Sequence, residues 1–497
     1  MTQIEIAKAG SQSVGLYLDK LNRHGLIAGA TGTGKTITLK VLAEQLSQAG
    51  VPVFLADIKG DLASLSQAGS LTDKVAERVE SLALTDFQPQ AYPVRLWDVF
   101  GQMGTPVRST ISEMGPLLLA RLLDLNDTQT GILNIAFQLA DDQGMLLIDM
   151  KDLKALLQHM AENASTYSTQ YGNITKQSIG AIQRSLLVLE QQGGDQFFAE
   201  PALDLSDFMQ TDSQGKGYLN ILMAQQLFNS PKLYSTFLLW MLSELFEILP
   251  EVGDLPQPKL VFFFDEAHLL FKDAPKAFVE KVEQVVRLVR SKGVGIYFIT
   301  QNPADLPESI LAQLGNRVQH ALRAYTPKEI KAVKLAASTF RENPAFSTTD
   351  VITELKVGEA LISCLNQEGQ PQVVERALVR PPQSLMGTLS DQEYQQLLHT
   401  SSMEAKYRQS FDRESAYEVL QKRLKTEAEE AQLAQEKAQL EKERERLAKE
   451  QARTTQKPAG RPAKSAVEKA TESFFSSVTR TLGREIVRGI FGSLKKK

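Results

Sequence analysis

The sequence predicts an α/β protein built on a mostly parallel sheet with helices on both faces. Short apolar runs of the kind that form buried strands alternate with helical segments along much of the chain. Strands that are apolar throughout belong to sheets covered on both sides, and such sheets are usually parallel. A glycine-rich loop between one of these runs and a helix is the second observation. The third is a long segment of charged, helix-forming residues after residue 382.

The predicted strands follow one another at intervals that leave room for helices between them. Seven are single strands, and the sheet is expected to end in a hairpin. The predicted strands are 24–28, 53–57, 94–99, 218–222, 260–264, 295–300 and 318–322, with the hairpin at 360–377.

A mainly helical stretch interrupts this alternation. Between residues 110 and 212 apolar side chains recur at spacings of three and four, which predicts helices. We therefore expect residues 110–212 to form a helical subdomain inserted between the two parts of one core, residues 1–109 and 213–382.

The composition changes after the core. From about residue 412 to residue 453 strong helix formers dominate, which predicts that residues 383–456 form a charged helical extension. Leu433, Leu440 and Leu447 fall seven apart, but no second apolar seam accompanies them. A single long charged helix is therefore expected rather than a sustained coiled coil.

The final segment, residues 457–497, is basic. It holds ten Lys or Arg against three Asp or Glu, a net charge of +7, whereas the whole chain carries −4 and the remainder −11. After a linker, apolar residues recur at every fourth position from Phe474 to Leu494 beside arginines, which predicts a basic amphipathic helix. Such a helix can dock on the protein itself, on a partner protein or on an anionic membrane surface. A tail that is only solvated by its charges is the alternative.

The composition excludes several classes of protein. One cysteine, Cys364, excludes a disulfide framework and a thiolate metal cluster, so the expected location is the reducing cytoplasm. The N-terminus has no basic region followed by an apolar run, so no signal peptide is predicted. The most apolar predicted helix, residues 231–249, contains Lys232, Glu244 and Glu247 and is too short to cross a bilayer.

The glycine-rich loop has the full pattern of a phosphate-binding loop, with two glycines bracketing four residues before Lys-Thr. Its backbone N–H groups and the N-terminus of the following helix would both point at an anion. Lys35 is then placed against the β- and γ-phosphates of a nucleoside triphosphate such as ATP, and the Thr36 hydroxyl against Mg²⁺. The predicted phosphate-binding residues are Gly29, Ala30, Thr31, Gly32, Thr33, Gly34, Lys35 and Thr36.

Two acids after an apolar strand supply the second half of the predicted site. The strand 260–264 delivers Asp265 to the sheet edge beside the loop, where it can hold Mg²⁺ together with Thr36. Glu266 can then polarise the attacking water. The same two acids would also suit a helix N-cap and an acidic first turn, an interpretation without catalysis.

Other polar residues follow neighbouring strands. Gln301, after the strand 295–300, would face the γ-phosphate and sense it, although a polar residue before Asn-Pro also starts turns. Asp57 or Asp61, after the strand 53–57, could orient water or Mg²⁺, or could cap a turn.

Two arginines are candidates for a finger supplied across a subunit boundary, where it would stabilise transition-state charge. Arg317 stands at the start of a predicted strand and is the first choice; Arg290 ends a predicted helix and is the second. An arginine at a helix C-terminus can also be only a partner of the helix dipole.

These segments together resemble the HerA/FtsK group of P-loop ATPases, and more closely the bacterial HerA-like proteins of the YjgR type. The resemblance runs from His24 to about residue 375. The matching segments are 24–36, 261–268, 290–295, 299–303 and 315–323.

The resemblance implies a RecA-like ATPase core and a hexameric ring of identical subunits, with ATP sites at subunit interfaces. In the broader group such rings move double-stranded DNA. DNA-processing members carry an N-terminal β-barrel that docks a nuclease, and only 23 residues precede His24, so we do not expect a nuclease-coupled role. By matching position, the resemblance also implies that Lys35 and Thr36 bind phosphate and Mg²⁺ and that Asp265 binds Mg²⁺. It further implies that Glu266 activates water, that Gln301 senses the γ-phosphate and that Arg317 is the arginine finger.

Two functions from different classes remain. The first is an ATP-driven translocase on double-stranded DNA, with basic side chains from the inserted helices or from residues 305–313 lining a pore. The alternative is a non-motor ATPase switch that assembles on a protein partner or a membrane through its C-terminal helix. A small-molecule kinase is disfavoured because no acceptor-binding lid is recognisable.

Overall fold

The structure, a computed structural model, describes residues 2–172, 174–271 and 276–454. The chain divides into two compact units, one from Met1 to Lys422 and the other from Arg423 to Lys497. The first unit holds a large sheet and its covering helices, and the described part of the second belongs to one long helix. The predicted basic helix between Phe474 and Leu494 lies outside the described residues.

The strands of the described residues form one twelve-stranded sheet. They are β1 (Gln3–Ala9), β2 (Gln12–Tyr17), β3 (Gly25–Ala28), β4 (Val53–Asp57), β5 (Val94–Asp98), β6 (Thr105–Pro106), β7 (Leu219–Met223), β8 (Leu260–Phe264), β9 (Val294–Thr300), β10 (Asn316–Gln319), β11 (Glu359–Ser363) and β12 (Glu375–Val379). Their order across the sheet is β2-β1-β12-β11-β10-β3-β9-β8-β4-β7-β5-β6. Neighbours from β10 to β6 are parallel, and neighbours from β2 to β10 are antiparallel.

The predicted α/β fold with a mostly parallel sheet is confirmed. The hairpin expected at 360–377 is β11 paired with β12. The strand expected at 318–322 is β10, which begins and ends earlier; beyond its end, the Ala321 carbonyl accepts the Ala30 N–H of the phosphate-binding loop. β1, β2 and β6 are additional to the predicted strands.

Helices cover the sheet and fill the stretch between β6 and β7. Helices α3 to α8 lie between residues 110 and 212, but they share one hydrophobic cluster with sheet residues such as Phe54 and Trp97. The bounds of an inserted subdomain therefore stay predictions. The helices are α1 (Lys35–Gln48), α2 (Asp73–Ser81), α3 (Ile111–Leu122), α4 (Asp127–Asp142), α5 (Met150–Glu162), α6 (Ala164–Tyr171), α7 (Lys176–Gln191), α8 (Gly194–Phe197), α9 (Pro231–Ile248), α10 (His268–Phe271), α11 (Lys276–Val289), α12 (Glu308–Leu311), α13 (Pro327–Ser338), α14 (Thr348–Glu354), α15 (Asp391–His399), α16 (Ser402–Tyr407) and α17 (Ala416–Thr454).

Alternate residues of the central strands pack into two different hydrophobic clusters. In β4, Phe54 and Ala56 belong to the cluster that contains α9, whereas Val53 and Leu55 belong to the cluster that contains α1. This alternation follows from the two-residue period of a strand, and it shows that the sheet is buried on both faces. A third, smaller cluster joins α13 and α14 to β11.

Two long helices agree with their predicted character. α9 is buried along most of its length, as predicted for residues 231–249. The charged extension contains α17, a helix of 39 residues in which Leu433, Leu440 and Leu447 are about half exposed. Across the described ranges, no helix combines the length and the apolar character that crossing a membrane requires.

Candidate nucleotide-binding site

Three neighbouring parallel strands carry the candidate site at their carboxyl ends. β3, β9 and β8 lie side by side in that order. β3 is followed by the loop at residues 29–36, β9 by Gln301, and β8 by Asp265 and Glu266. Because parallel strands end at the same edge, these groups meet there, with Gln301 between the loop and the two acids.

The loop is fixed by hydrogen bonds to three neighbouring segments. Gly29 N–H donates to the last carbonyl of β9 at 3.2 Å, and Ala30 N–H donates to the carbonyl of Ala321 at 2.8 Å. Gly358 N–H, just before β11, donates to the carbonyl of Thr33 at 3.1 Å. The loop therefore has a rigid backbone whose shape depends on β9, β10 and β11 as well as on its own sequence.

The glycines of the loop are required by this backbone. Gly32 and Gly34 have φ angles of +76° and +117°, in the left-handed region where a side chain is strained. A Cβ atom on Gly29 would lie 2.5 Å from the Cβ of His320. The loop can therefore curl tightly enough to aim its N–H groups at a phosphate.

His320 forms the floor of the loop, and the sequence analysis did not identify it. Its Nε2 lies 2.8 Å from the Thr38 hydroxyl and its Nδ1 lies 3.0 Å from the Glu359 carbonyl oxygen. The side chain is fully buried, and burial, reinforced by the charge of Lys35, lowers the pKa of His320 to about 4. A neutral imidazole thus connects the first turn of α1 to the start of β11.

Lys35 is folded onto its own loop. Its Nζ donates to the carbonyl oxygens of Gly29 at 2.6 Å and Ala30 at 3.1 Å. Burial lowers the pKa of Lys35, while the charges of Glu266 and Asp265 oppose that shift. The two acids are therefore close enough to the loop to act on its lysine.

Asp265 and Glu266 are buried carboxylates at the end of β8. Burial raises the pKa of Asp265, whose Oδ1 accepts the Glu266 N–H at 2.9 Å. Gln301 Nε2 lies 3.4 Å from Glu266 Oε2. Glu266 has a φ of +48°, a conformation that costs about 1–3 kcal/mol and that often marks a functional position.

The alternative interpretation of the acids as helix caps does not fit. α10 begins at His268, and the amides of Leu269 and Leu270 donate to backbone carbonyls of residues 266 and 267 instead of to a carboxylate. His268 Nδ1 lies 3.5 Å from Glu266 Oε2, so this histidine packs against the acid. The carboxylates of Asp265 and Glu266 are left facing the site.

Lys59 is the second functional candidate that the sequence analysis did not identify. Its Nζ lies 2.9 Å from Glu266 Oε1 and 3.5 Å from Asp265 Oδ2. Burial would raise the pKa of Glu266, but the hydrogen bond and charge of Lys59 outweigh it and lower that pKa. The same acids raise the pKa of Lys59 against the opposing effect of its burial.

Asp57 caps the loop that carries Lys59. Its Oδ1 accepts N–H groups from Lys59 at 3.1 Å and Gly60 at 2.7 Å, and its Oδ2 accepts one from Leu62 at 2.9 Å. Burial raises the pKa of Asp57 to about 6. Of the two alternatives expected for this residue, the structure shows the turn cap.

The two candidate finger arginines lie toward the amino ends of their strands. Arg290 precedes β9 and lines a surface depression with Asp254 and Arg287. Arg317, the second residue of β10, donates from Nε to the Leu314 carbonyl at 3.1 Å and from Nη2 to the Leu311 carbonyl at 3.0 Å. Among the described residues, no hydrogen bond or ion pair joins either arginine to the phosphate-binding loop.

Comparison with known proteins identifies the family. Residues 2–497 match the family model described as helicase HerA-like C-terminal. The chain is 24% identical over 365 residues to a protein from Sulfolobus acidocaldarius named DNA double-strand break repair helicase HerA. It is 23% identical over 366 residues to a protein of the same name from Sulfurisphaera tokodaii. Both alignments cover 70% of this chain and 64% of the relative, so the chain spans slightly less than two thirds of these relatives.

Solved structures agree on the fold. The bacterial conjugative coupling protein TrwBdeltaN70 is 14% identical to this chain and superposes with a TM-score of 0.51. The aligned region covers 78% of this chain and 92% of that protein. TrwB in complex with a non-hydrolysable ATP analogue is 15% identical, with a TM-score of 0.50 over 78% of this chain and 91% of that one. At these identities the likeness establishes the fold alone.

The finer assignment to the YjgR type stays a prediction. The complete phosphate-binding loop after β3, the paired acids after β8 and the family match along nearly the whole sequence agree with one another. This chain belongs to the helicase HerA-like C-terminal family of P-loop ATPases.

Proposed function

We propose that this chain hydrolyses ATP with Mg²⁺ in a ring of identical copies and uses that energy to move along double-stranded DNA. The observation that carries the ATPase part is the meeting of the phosphate-binding loop, Gln301, Asp265 and Glu266 at one sheet edge. The DNA part is supported by the name of the curated relatives, DNA double-strand break repair helicase.

Mg²⁺ would be held by the Thr36 hydroxyl and the Asp265 carboxylate. Mg²⁺ takes oxygen ligands and usually binds one or two protein groups together with phosphates and water, so this donor pair fits it. The Asp265 carboxylate already lies against a cationic group, the Lys59 ammonium. Bound Mg²⁺ would neutralise charge on the phosphate oxygens during transfer.

The remaining groups divide the chemistry among them. Lys35 would exchange the carbonyl oxygens of Gly29 and Ala30 for phosphate oxygens, to which its charge is better suited. Glu266 would orient and polarise the attacking water, since its lowered pKa keeps it a carboxylate at neutral pH. Gln301, within 3.4 Å of that carboxylate, would link the water to the γ-phosphate.

The missing positive charge would come from a second copy. Arg290 and Arg317 lie away from the loop of their own chain, which agrees with a finger that acts across a subunit boundary. The Arg317 guanidinium is already bound to two backbone carbonyls, whereas Arg290 borders an open depression. We therefore favour Arg290 as the finger, which reverses the order expected from the sequence.

α13 carries a basic surface suited to the phosphates of DNA. Residues 323–341 hold five Lys or Arg and one acid, Glu329, whose carboxylate caps α13 by accepting the N–H groups of Tyr325 and Thr326. All five cations are exposed and make no ion pair with any other described residue, and four of them lie on α13 or on the segment that leads into it. We call these four the α13 basic face: Arg323, Lys328, Lys331 and Lys334.

The two regions expected to line a pore are not basic. Residues 305–313 contain Asp305, Glu308 and no Lys or Arg, so that expectation was wrong. The inserted helices, residues 110–212, hold five Lys or Arg against fourteen Asp or Glu. Because phosphate contacts dominate the affinity of proteins for DNA, the α13 basic face is the better candidate.

α13 is also connected to the candidate sensor. It packs against the turn at Pro303–Asp305, which begins two residues after Gln301. Asn302 caps this turn, with its side chain accepting the Ala304 N–H at 3.0 Å. A displacement of Gln301 would therefore reach the α13 basic face through a single turn.

The first test compares ATP hydrolysis by the wild type and Glu266→Gln, with and without linear double-stranded DNA at low salt. We expect DNA to stimulate the wild type roughly tenfold or more, and the variant to bind ATP but not hydrolyse it. Hydrolysis that is indifferent to DNA would rule out the motor. It would favour the alternative of a switch that acts on a protein or membrane partner through residues 457–497.

The second test reverses three charges of the α13 basic face together, as Lys328→Glu, Lys331→Glu and Lys334→Glu. We expect weaker DNA binding, a salt dependence shallower by roughly two to three phosphate contacts, and unchanged hydrolysis without DNA. The matched control reverses three exposed lysines elsewhere: Lys74→Glu, Lys176→Glu and Lys232→Glu. An equal loss of DNA binding in both triple variants would exclude a specific role for α13.

A further inference from the structure

The loop after β4 places one lysine on both acids of the site. Lys59 Nζ lies 2.9 Å from Glu266 Oε1 and 3.5 Å from Asp265 Oδ2. The acids are buried, with side chains 9% and 11% exposed, whereas the Lys59 side chain is 42% exposed. A partly exposed cation thus lies against two buried anions and offsets part of their charge.

The backbone beneath Lys59 is rigid. The Asp57 carboxylate accepts the N–H groups of Lys59, Gly60 and Leu62, which fixes the turn. Gly60 has a φ of +81°, and a Cβ atom there would lie 2.4 Å from the Gln225 side-chain amide. The ammonium can therefore change position only through rotation of its own side chain.

Both oxygens of Asp265 are engaged inside the protein. Oδ1 accepts the backbone N–H of Glu266 at 2.9 Å, and Oδ2 faces Lys59 at 3.5 Å. The backbone N–H belongs to the turn directly after β8 and can move away only if that turn rearranges. A cation that binds Asp265 Oδ2 therefore competes with the Lys59 ammonium for the same oxygen.

We propose that Lys59 is a positioning residue that serves as the counter-ion of Asp265 until Mg²⁺ binds. Mg²⁺ then displaces the Lys59 ammonium from Asp265, and the ammonium remains in contact with Glu266. The shorter of its two contacts is the one to Glu266, which is the contact it keeps. The proposal rests on the Mg²⁺–ATP part of the proposed function and not on movement along DNA.

Removal of Lys59 has two effects of opposite sign. Mg²⁺ no longer competes with an ammonium for Asp265, so less Mg²⁺ is needed to bind nucleotide. In the absence of Mg²⁺ the two acids have lost their counter-charge and repel the triphosphate, so nucleotide binds more weakly. A merely structural role for Lys59 would weaken binding under both conditions.

The experiment titrates Mg²⁺ against the full chain and a fluorescent, non-hydrolysable ATP analogue, for the wild type and Lys59→Met. We expect the variant to reach half-maximal binding at a Mg²⁺ concentration at least about threefold lower, and to bind less analogue in EDTA. Lys59→Arg keeps the charge and should stay within about twofold of the wild type. Lys74→Met, which removes an exposed lysine from α2, is the matched control and should match the wild type.

A Mg²⁺ midpoint in Lys59→Met that is unchanged or higher overturns the proposal. If thermal melting shows that Lys59→Met is poorly folded, Lys59→Gln, which keeps a polar side chain, carries the same criterion. A wild type that binds no analogue at any Mg²⁺ concentration would overturn the proposed ATPase and this role together. Binding without stimulation by DNA would overturn the motor alone.

Discussion

The two ends of the parallel strands differ in how much of an active site one chain can build there. At the carboxyl ends of β3, β9 and β8, the loop is hydrogen-bonded to the end of β9, Gln301 contacts Glu266, and the acids lie close enough to affect the pKa of Lys35, all within one chain. At the amino ends, Arg290 and Arg317 have no such connection to the site. The groups proposed to bind phosphate thus lie within a single chain, whereas stabilisation of transition-state charge would belong to an assembly.

The largest expected effect tests this division directly. We expect Arg290→Ala to lower kcat by roughly 10³-fold, because a finger acts on transition-state charge, while binding of an ATP analogue stays unchanged. Hydrolysis should return when Arg290→Ala is mixed with Glu266→Gln. A mixed ring then contains sites with an intact glutamate from one copy and an intact arginine from the next.

The mixing ratio provides the control for that experiment. Each variant alone should stay inactive at every concentration, and recovered hydrolysis should be greatest near equal amounts of the two. Mixtures that remain inactive, in conditions where subunits exchange, would show that Arg290 does not complete a neighbour's site.

An intermediate effect is expected at the other arginine. Arg317→Ala removes two hydrogen bonds to backbone carbonyls and should lower the free energy of unfolding by about 2 kcal/mol. Hydrolysis by the folded fraction should change less than about threefold. Urea denaturation and kcat at a temperature well below melting measure the two quantities. Unchanged stability with a large loss of kcat would restore Arg317 as the finger.

The most gradual expected effect is a dependence of stability on pH, and it involves one histidine at each end of the parallel strands. Burial lowers the pKa of both His24, before β3, and His320, after β10, to about 4. The unfolded chain binds protons near pH 6.5 and the folded chain does not, so stability is complete above that pH and falls toward pH 4. Each histidine contributes a slope of up to about 1.4 kcal/mol per pH unit.

Asp57 opposes this trend with its raised pKa of about 6. Its contribution is present below pH 4 and is lost as the pH rises to 6, so it cancels part of the effect of two histidines. Urea denaturation at pH 7, 6 and 5 should show a net loss on acidification. His320→Gln should flatten the slope, and an unchanged slope would contradict a neutral, buried His320.

The site divides into residues that local sequence predicts and residues that it does not. The loop and the acids were predictable, because each follows an apolar strand within a few positions, and strand ends meet at one edge. Lys59 was missed although it lies in a noted segment, since its partner Asp265 is 206 residues away. His320 was missed because its hydrogen-bond partner Thr38 is 282 residues away in the sequence.

The fold shows the same limit. The apolar runs predicted the central strands, and the two-residue period of β4 appears as its two buried faces. The N-terminal hairpin of β1 and β2 was not predicted, although Ile4 and Ile6 alternate with polar residues. Pairing of β1 with β12 joins the two ends of the core, and no local pattern encodes such a contact.

The position of β9 bears on how a ring of such chains would coordinate hydrolysis at its successive sites. The strand is buried at all seven residues; Arg290 precedes it and Gln301 follows it. If Arg290 is the finger, β9, a strand about 23 Å long, connects Gln301, the sensor of one chain, to the arginine that would complete the neighbouring chain's site. Neighbouring ATP sites around the ring would then be coupled one to the next. The order in which they hydrolyse ATP would follow from the polarity of a single β-strand.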